Sequence, residues 1–126
     1  MLYITDDDAD DRLFLTEALS MQGFHGKILT FENGEQLIAH LSAVNDLAGR
    51  LVLLDLNMPV KDGYETLKEL RNNKNVSGIP IIILTSSSRA EDEQSCYKLG
   101  CNDFKEKPLS VSGYDTLARD IMCFSC

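Results

Sequence analysis

Five short runs of apolar, mostly β-branched residues recur along the chain, and segments with helical spacing separate them. The runs are Leu2–Thr5, Lys27–Phe31, Leu51–Leu54, Ile81–Leu84 and the weaker Phe104–Glu106. Between the runs, apolar residues recur three and four positions apart, most clearly at Tyr114, Leu117, Ala118 and Ile121. Strand and helix therefore alternate five times, which predicts parallel strands joined by right-handed crossovers.

Two of the runs, "LVLL" and "IIIL", are apolar at every position rather than at alternate positions. Continuous apolar strands are typical of a sheet that is covered on both sides. The pattern predicts a doubly wound α/β fold, (βα)5, with a five-stranded parallel sheet and helices on both faces.

Polar residues at the predicted helix starts favour this division of the chain. Asp8, Asn33 and Ser110 are N-cap residue types, and Ser88 with Glu91 three positions later forms a capping-box pattern. These residues predict where four of the five helices begin.

Composition limits the class of protein. A chain of 126 residues is the length of one domain, and the net charge of -8 repels nucleic-acid phosphates and anionic lipid. No apolar run reaches membrane-spanning length, and Met1 leads into the first run without a signal-peptide pattern. We expect a cytoplasmic protein that binds neither nucleic acid nor membrane.

Polar side chains follow four of the five predicted strands. They are Asp6, Asp7 and Asp8 after the first, Asp55 after the third, Thr85, Ser86 and Ser87 after the fourth, and Lys107 and Pro108 after the fifth. The carboxyl ends of parallel strands meet at one edge of the sheet, where such folds bind ligands. We therefore expect one site assembled from the whole chain.

Carboxylates that crowd together at this edge raise one another's pKa, and a divalent cation offsets that cost. Mg²⁺ prefers oxygen ligands, which Asp7, Asp55 and the backbone carbonyl of Asn57 could supply. Asp55 could then attack a phosphoryl donor, with the Lys107 ammonium and the Thr85 hydroxyl stabilising the transferred group.

Each of these residues also has an ordinary structural interpretation. Carboxylates favour the positive end of a helix dipole, and for Asp8, Asp10 and Asp11 we prefer that interpretation. Lys107 alone would be a surface lysine and Thr85 alone a strand terminus. Only their joint placement at strand ends indicates a site.

The motifs "TDDD", "LLDLNMP", "DG", "PIIILTS" and "DFKEKP" occur in this order along the chain. With them the chain resembles the receiver domain of two-component response regulators over essentially its whole length. The resemblance implies a sheet order of 2-1-3-4-5 and makes Asp55 the phosphoacceptor. It makes Asp7 a direct Mg²⁺ ligand, with Asp6 acting through water and Asn57 through its backbone carbonyl.

The same resemblance implies a switch. Thr85 would turn its hydroxyl toward the phosphoryl group, Lys107 would form a salt bridge with that group, and the rotamer of Phe104 would follow Thr85. One departure concerns the fifth strand, where "FKEK" is more polar than usual and suits an edge strand.

We therefore expect a single receiver domain over residues 1–126 that acts as a stand-alone response regulator without an output domain. A histidine kinase or histidine phosphotransfer protein would phosphorylate it. The helix 4–strand 5–helix 5 surface would then control a partner protein. The domain would not be an enzyme beyond self-catalysed phosphorylation and dephosphorylation. The sequence leaves open the kinase, the target, the phosphoryl lifetime and a phosphorylation-dependent homodimer.

Two other functions share parts of this pattern. A hydrolase of the haloacid-dehalogenase type also begins with an aspartate after an apolar strand, but it needs a second aspartate where this chain has Asn57. A flavodoxin-like module must hold a phosphate in its first loop, which three aspartates would repel.

Four cysteines need a separate interpretation. Cys96, Cys101, Cys123 and Cys126 should lie toward the edge opposite Asp55, where a zinc site or a disulfide is conceivable. Their spacing is not a standard zinc pattern, so we favour free thiols, some of them packed as small hydrophobic side chains.

Overall fold

The computed structural model describes residues 1–86 and 89–125, except for the side chain of Ser125. The strands are β1 (Leu2–Thr5), β2 (Ile28–Phe31), β3 (Leu51–Leu54), β4 (Ile81–Thr85) and β5 (Asp103–Glu106). All pairs are parallel, and the strands form one sheet in the order β2-β1-β3-β4-β5. The predicted fold class and strand order are confirmed, with strand bounds met or missed by a single residue.

Five helices alternate with the strands. They are α1 (Ala9–Met21), α2 (Gly34–Ser42), α3 (Gly63–Asn72), α4 (Ala90–Leu99) and α5 (Gly113–Ser125). No helix within the described ranges is long and apolar enough to cross a membrane.

The helix starts agree with the sequence in part. Asp8 accepts hydrogen bonds from the first turn of α1 and Asn33 from that of α2, so both predicted caps are confirmed. Because α5 begins only at Gly113, Ser110 lies too far ahead to be its N-cap, and that prediction is wrong. Arg89 is the N-cap residue of α4, while Ser88 lies outside the described residues, as does Ser87.

The sheet buries both of its faces, which explains the continuously apolar strands. Alternate residues of each strand point to opposite faces. Leu53 packs with α1 and α5 on one face, whereas Leu54 packs with α2, α3 and α4 on the other. Both leucines are almost completely buried. The α1/α5 layer and the α2/α3/α4 layer therefore have separate cores.

Strand β5 lies at the edge of the sheet, as its polar sequence predicts. Three of its residues are partly buried and Glu106 is exposed. Lys105 Nζ lies 3.5 Å from Asp103 Oδ2 and 3.8 Å from Asp120 Oδ2 on α5. Charged side chains on an edge strand discourage pairing with another chain.

The cysteines of the described residues are free thiols. Cys96 and Cys101 are buried in the α2/α3/α4 layer, and Cys123 is exposed. Burial raises the pKa of Cys96 to about 12 and that of Cys101 to about 11. The prediction that some cysteines pack as small hydrophobic side chains is confirmed, and Cys126 lies outside the described residues.

Candidate functional site

Asp55 follows the central strand β3 at the carboxyl edge of the sheet. Its backbone N–H donates to the Thr5 carbonyl at 3.0 Å, which continues the pairing of β3 with β1. Its Oδ1 accepts from the Leu56 N–H at 2.8 Å, and the Asn57 N–H lies 3.5 Å away. Only 5% of Asp55 is exposed, so the sheet presents a nearly buried carboxylate with one oxygen fixed by backbone.

Gly63 allows the start of α3 to lie directly against this loop. A Cβ placed on Gly63 would come within 2.2 Å of the Asp55 carbonyl oxygen, closer than any side chain tolerates. The Gly63 N–H donates to the Leu56 carbonyl at 2.9 Å. Gly63 is therefore required for the backbone that presents Asp55.

Lys107 brings the far end of the chain into the same site. Its Nζ lies 2.8 Å from Asp6 Oδ2, 2.8 Å from Asp11 Oδ2 and 3.1 Å from Asp55 Oδ2. Burial disfavours the ammonium, but hydrogen bonds to Asp11 and Asp6 and the charge of Asp55 outweigh it and raise the pKa of Lys107. A permanently charged lysine therefore contacts three carboxylates at once.

Three carboxylates at this edge form a group that fits a divalent cation. One oxygen from each of Asp6, Asp7 and Asp55 lies within 4.8 Å of the others. Burial raises the pKa of Asp6 to about 6, the nearby charge of Asp55 adds to this rise, and Lys107 opposes it. An all-oxygen donor set of excess negative charge is the type that Mg²⁺ and Mn²⁺ occupy.

Asp11 contacts this site, although its position in the sequence indicated only a helix-start charge. Its carboxylate accepts from Lys107 Nζ at 2.8 Å and from the Tyr114 hydroxyl at 3.3 Å. Burial raises the pKa of Tyr114 to about 12, and Asp11 contributes to the rise. One feature of the sequence could have indicated this role. Because Asp8 already caps α1, a further aspartate in the first turn is not needed for capping and is free to bind elsewhere.

Thr85 and Asn57 lie at the same edge, whereas Phe104 lies within β5. Thr85 ends β4, is fully buried, and its carbonyl accepts from the Lys107 backbone N–H at 2.8 Å. Asn57 is exposed in the loop directly after Asp55. Phe104 pairs with Ile83 in the sheet and packs on the α2/α3/α4 layer. The structure thus brings Asp6, Asp7, Asp55 and Lys107 into direct proximity.

This arrangement suits transfer of a group that carries negative charge. A nearly buried carboxylate can act as nucleophile, and an adjacent ammonium and a cation bound to the acidic group can stabilise charge on a phosphoryl group. Asp55 follows β3, which lies between β1 and β4, at the carboxyl edge where folds of this type bind ligands.

Comparisons with known proteins agree with the fold. A family model for the response regulator receiver domain matches residues 2–117. Response regulator Rcp1 of Synechocystis sp. is 29% identical over 128 residues, which cover 98% of this chain and 86% of Rcp1. A probable cyclic di-GMP phosphodiesterase of Vibrio cholerae is 33% identical over 110 residues, which cover 87% of this chain but only 24% of that longer protein.

Solved structures give the same result. A receiver domain from Rhodospirillum rubrum matches with a TM-score of 0.89 at 26% identity, covering 98% of this chain and 92% of that one. The Mn²⁺-bound form of response regulator Rcp1 matches with a TM-score of 0.84 at 26% identity, covering 98% and 91%.

Proposed function

The chain belongs to the response regulator receiver domain family, and from this premise we propose that Asp55 accepts a phosphoryl group in a Mg²⁺-dependent reaction. The donor is a histidine kinase or a histidine phosphotransfer protein. The observation that carries the proposal is that residues following three different strands lie together at the carboxyl edge: Asp6 and Asp7 after β1, Asp55 after β3 and Lys107 after β5.

In the proposed reaction a carboxylate oxygen of Asp55 attacks the phosphorus of the donor. A P–O bond to Asp55 forms, the P–N bond of the phosphohistidine breaks, and its electron pair leaves with the imidazole. Lys107, already 3.1 Å from Asp55 Oδ2, stabilises the negative charge on the transferred oxygens. When bound, Mg²⁺ would add positive charge there, held by Asp6, Asp7, Asp55 and the carbonyl of Asn57.

The acyl phosphate then acts as a switch. It adds up to about two negative charges and three acceptor oxygens to the site. Thr85 and Lys107 are drawn toward these oxygens, and Phe104 in β5 responds to Thr85. Thr85 and Lys107 are already joined by a hydrogen bond from the Lys107 backbone N–H to the Thr85 carbonyl. The surface formed by α4, β5 and α5 changes and controls a partner protein.

The domain turns over no separate substrate in this proposal, and phosphoryl transfer onto and off Asp55 is self-catalysed. The position that would hold the acid of a hydrolase is Asn57. The match to 86% of Rcp1 supports action as a stand-alone regulator, whereas the longer relative shows the same domain type within a larger protein.

The test is mass measurement after incubation with acetyl phosphate and Mg²⁺. We expect the wild-type protein to gain one phosphoryl group, which hydroxylamine removes because it is an acyl phosphate. Asp55→Asn should abolish labelling and leave the fold intact, since the amide occupies the same space but is not a nucleophile.

Asp10→Asn is the matched control, because Asp10 is an exposed aspartate at the start of α1. It should be labelled like the wild type. Undiminished labelling of Asp55→Asn, or a label that resists hydroxylamine, would contradict the assignment.

A further inference from the structure

Asp11 is not needed for the start of α1. The N-cap of this helix is Asp8, whose Oδ1 accepts from the backbone of Asp10 at 2.9 Å and of Asp11 at 3.2 Å. In a capping box the residue at the position of Asp11 would reach back to the N-cap N–H. Here the Asp8 N–H donates to Asp6 Oδ1 at 3.0 Å instead. The Asp11 carboxylate is therefore directed to partners elsewhere.

Those partners belong to two other elements of the fold. One oxygen of Asp11 accepts from Lys107 after β5, and the other accepts from the Tyr114 hydroxyl on α5. The Tyr114 ring is held by Phe14 of α1, with centroids 5.8 Å apart, and the residue is almost completely buried. A continuous polar chain thus runs from Asp55 through Lys107 and Asp11 to Tyr114.

Asp11 also differs from the other two carboxylates around Lys107. Asp6 and Asp55 belong to the group of oxygens that fits a cation, whereas Asp11 does not. A cation and a phosphoryl group at Asp55 would compete with Lys107 for the oxygens of Asp6 and Asp55. Asp11 would then be the carboxylate that still holds the ammonium in place.

We propose that Asp11 is a positioning residue for Lys107 and that, through the hydroxyl of Tyr114, it couples phosphorylation of Asp55 to helix α5. This rests on the proposed function. The new phosphoryl oxygens attract Lys107, which shifts while it remains bound to Asp11 and so moves the Asp11 carboxylate. One oxygen of Asp11 binds Lys107 and the other binds Tyr114, so a shift of Lys107 changes the hydrogen bond to Tyr114. The first turns of α5, which carry Tyr114, then change position.

The experiment compares hydrogen exchange of α5 amides before and after phosphorylation with acetyl phosphate and Mg²⁺. In the wild type we expect exchange in the first half of α5 to change on phosphorylation. In Tyr114→Phe, which keeps the ring packed on Phe14, that difference should fall to less than about half, while labelling stays within about twofold of wild type.

The matched control for Tyr114→Phe is Tyr97→Phe. The Tyr97 hydroxyl donates to Asp103 at 3.3 Å, the same distance as in the pair of Tyr114 and Asp11, but it lies away from Lys107. Its loss should leave the exchange difference of α5 unchanged.

Asp11→Asn tests the positioning of Lys107. Loss of this charged contact should slow labelling about fivefold and remove the exchange difference in α5. Asp11→Glu should restore both in part, and Asp10→Asn should change neither.

The outcomes separate the two proposals. If the wild type is not labelled, the proposed function fails. If Tyr114→Phe and Asp11→Asn are labelled and retain the full exchange difference in α5, the coupling through Asp11 is wrong. It is also wrong if Tyr114→Phe shifts exchange equally in both states, since that result indicates packing alone.

Discussion

Two long cationic side chains, Arg71 and Lys107, tie together opposite ends of the same sheet, and they do so with different partners. Lys107 lies at the carboxyl edge and contacts three carboxylates. Arg71 lies at the other edge, at the end of α3, and contacts uncharged oxygens. The two edges therefore differ in charge balance although their connecting role is similar.

Arg71 fills its hydrogen bonds with neutral acceptors. It donates to the carbonyls of Gly100 at 2.8 Å, Ser77 at 2.9 Å and Ile79 at 2.7 Å, and to Asn102 Oδ1 at 2.8 Å. Burial lowers the pKa of Arg71, but guanidinium remains charged at any ordinary pH. The arrangement joins the end of α3 to the segments that precede β4 and β5.

Lys107 instead has more negative charge around it than it can neutralise. One ammonium faces Asp6, Asp11 and Asp55, two of which also belong to the group that fits a cation. A second cation or a phosphoryl group changes this balance, so the contacts of Lys107 can be redistributed. Under the proposed function, the carboxyl edge around Lys107 is the responsive edge, and the edge around Arg71, with its neutral partners, is the rigid one.

The two edges also differ in backbone strain. Gly100, at the end of α4 near Arg71, adopts φ 106 without strain because it has no Cβ. Val60, in the loop between Asp55 and α3, adopts φ 68, a conformation that is costly for a β-branched residue. The responsive edge also stores backbone strain.

The largest effect on stability should come from Arg71→Met, which removes the hydrogen bonds at the rigid edge. Four oxygen atoms lose a donor, so we expect the free energy of unfolding to fall by about 2–4 kcal/mol. Urea denaturation measures the loss, and phosphoryl labelling of the folded fraction should stay within about twofold. Arg119→Met, at an exposed position of α5, should shift stability by less than about 0.5 kcal/mol. An equal effect of both substitutions would contradict the special role of Arg71.

Asp6→Asn should have a smaller effect, of opposite sign, at the responsive edge. The folded-state pKa of Asp6 is raised from 3.8 to about 6, so folding favours its neutral form. That contribution is fully present below pH 3.8 and is lost as pH rises through about 6. In the absence of Mg²⁺ the variant should therefore be more stable than wild type at pH 7, and its advantage over wild type should be about 1–3 kcal/mol larger there than at pH 4.

Thermal or urea unfolding at the two pH values measures this change. Asp10→Asn serves as the control, because Asp10 is exposed and its substitution should give no comparable pH dependence. A stability difference between Asp6→Asn and wild type that does not vary with pH would show that folding does not raise the pKa of Asp6.

Some of the molecule could be predicted from residue order alone because local chemistry decides it. Continuous apolar runs gave the strands, and their polar ends gave the edge that holds Asp55 and Lys107. Prediction failed where a boundary depends on packing, as with Ser110, since α5 begins only at Gly113.

Contacts between distant segments could not be predicted in the same way. Arg71 and Asn102 are separated by 31 positions, and no spacing rule links them. Asp11 and Lys107 are 96 positions apart, and a carboxylate in a first helix turn already has an ordinary explanation.

The smallest effect should come from Val60→Gly, which sharpens the comparison of the two backbones. Glycine removes the strain at φ 68 but adds freedom to the unfolded chain, so we expect a net stabilisation of about 0.5–1 kcal/mol. Val111→Gly is the control, because Val111 is also an exposed loop valine but is not among the positive-φ residues. Chemical denaturation should show Val111→Gly to be neutral or destabilising, and equal effects at both positions would argue against strain at Val60.

The separate cores on the two faces of the sheet have a consequence for information transfer. Phe104 packs on the α2/α3/α4 layer, whereas Tyr114 packs on the α1/α5 layer. Under the two proposals, a single covalent event at Asp55 reaches both layers by different side chains. Two binding proteins, one on each face of the sheet, would then respond independently to the same phosphorylation. A substitution in one layer would abolish the response on that face and leave the response on the other face intact.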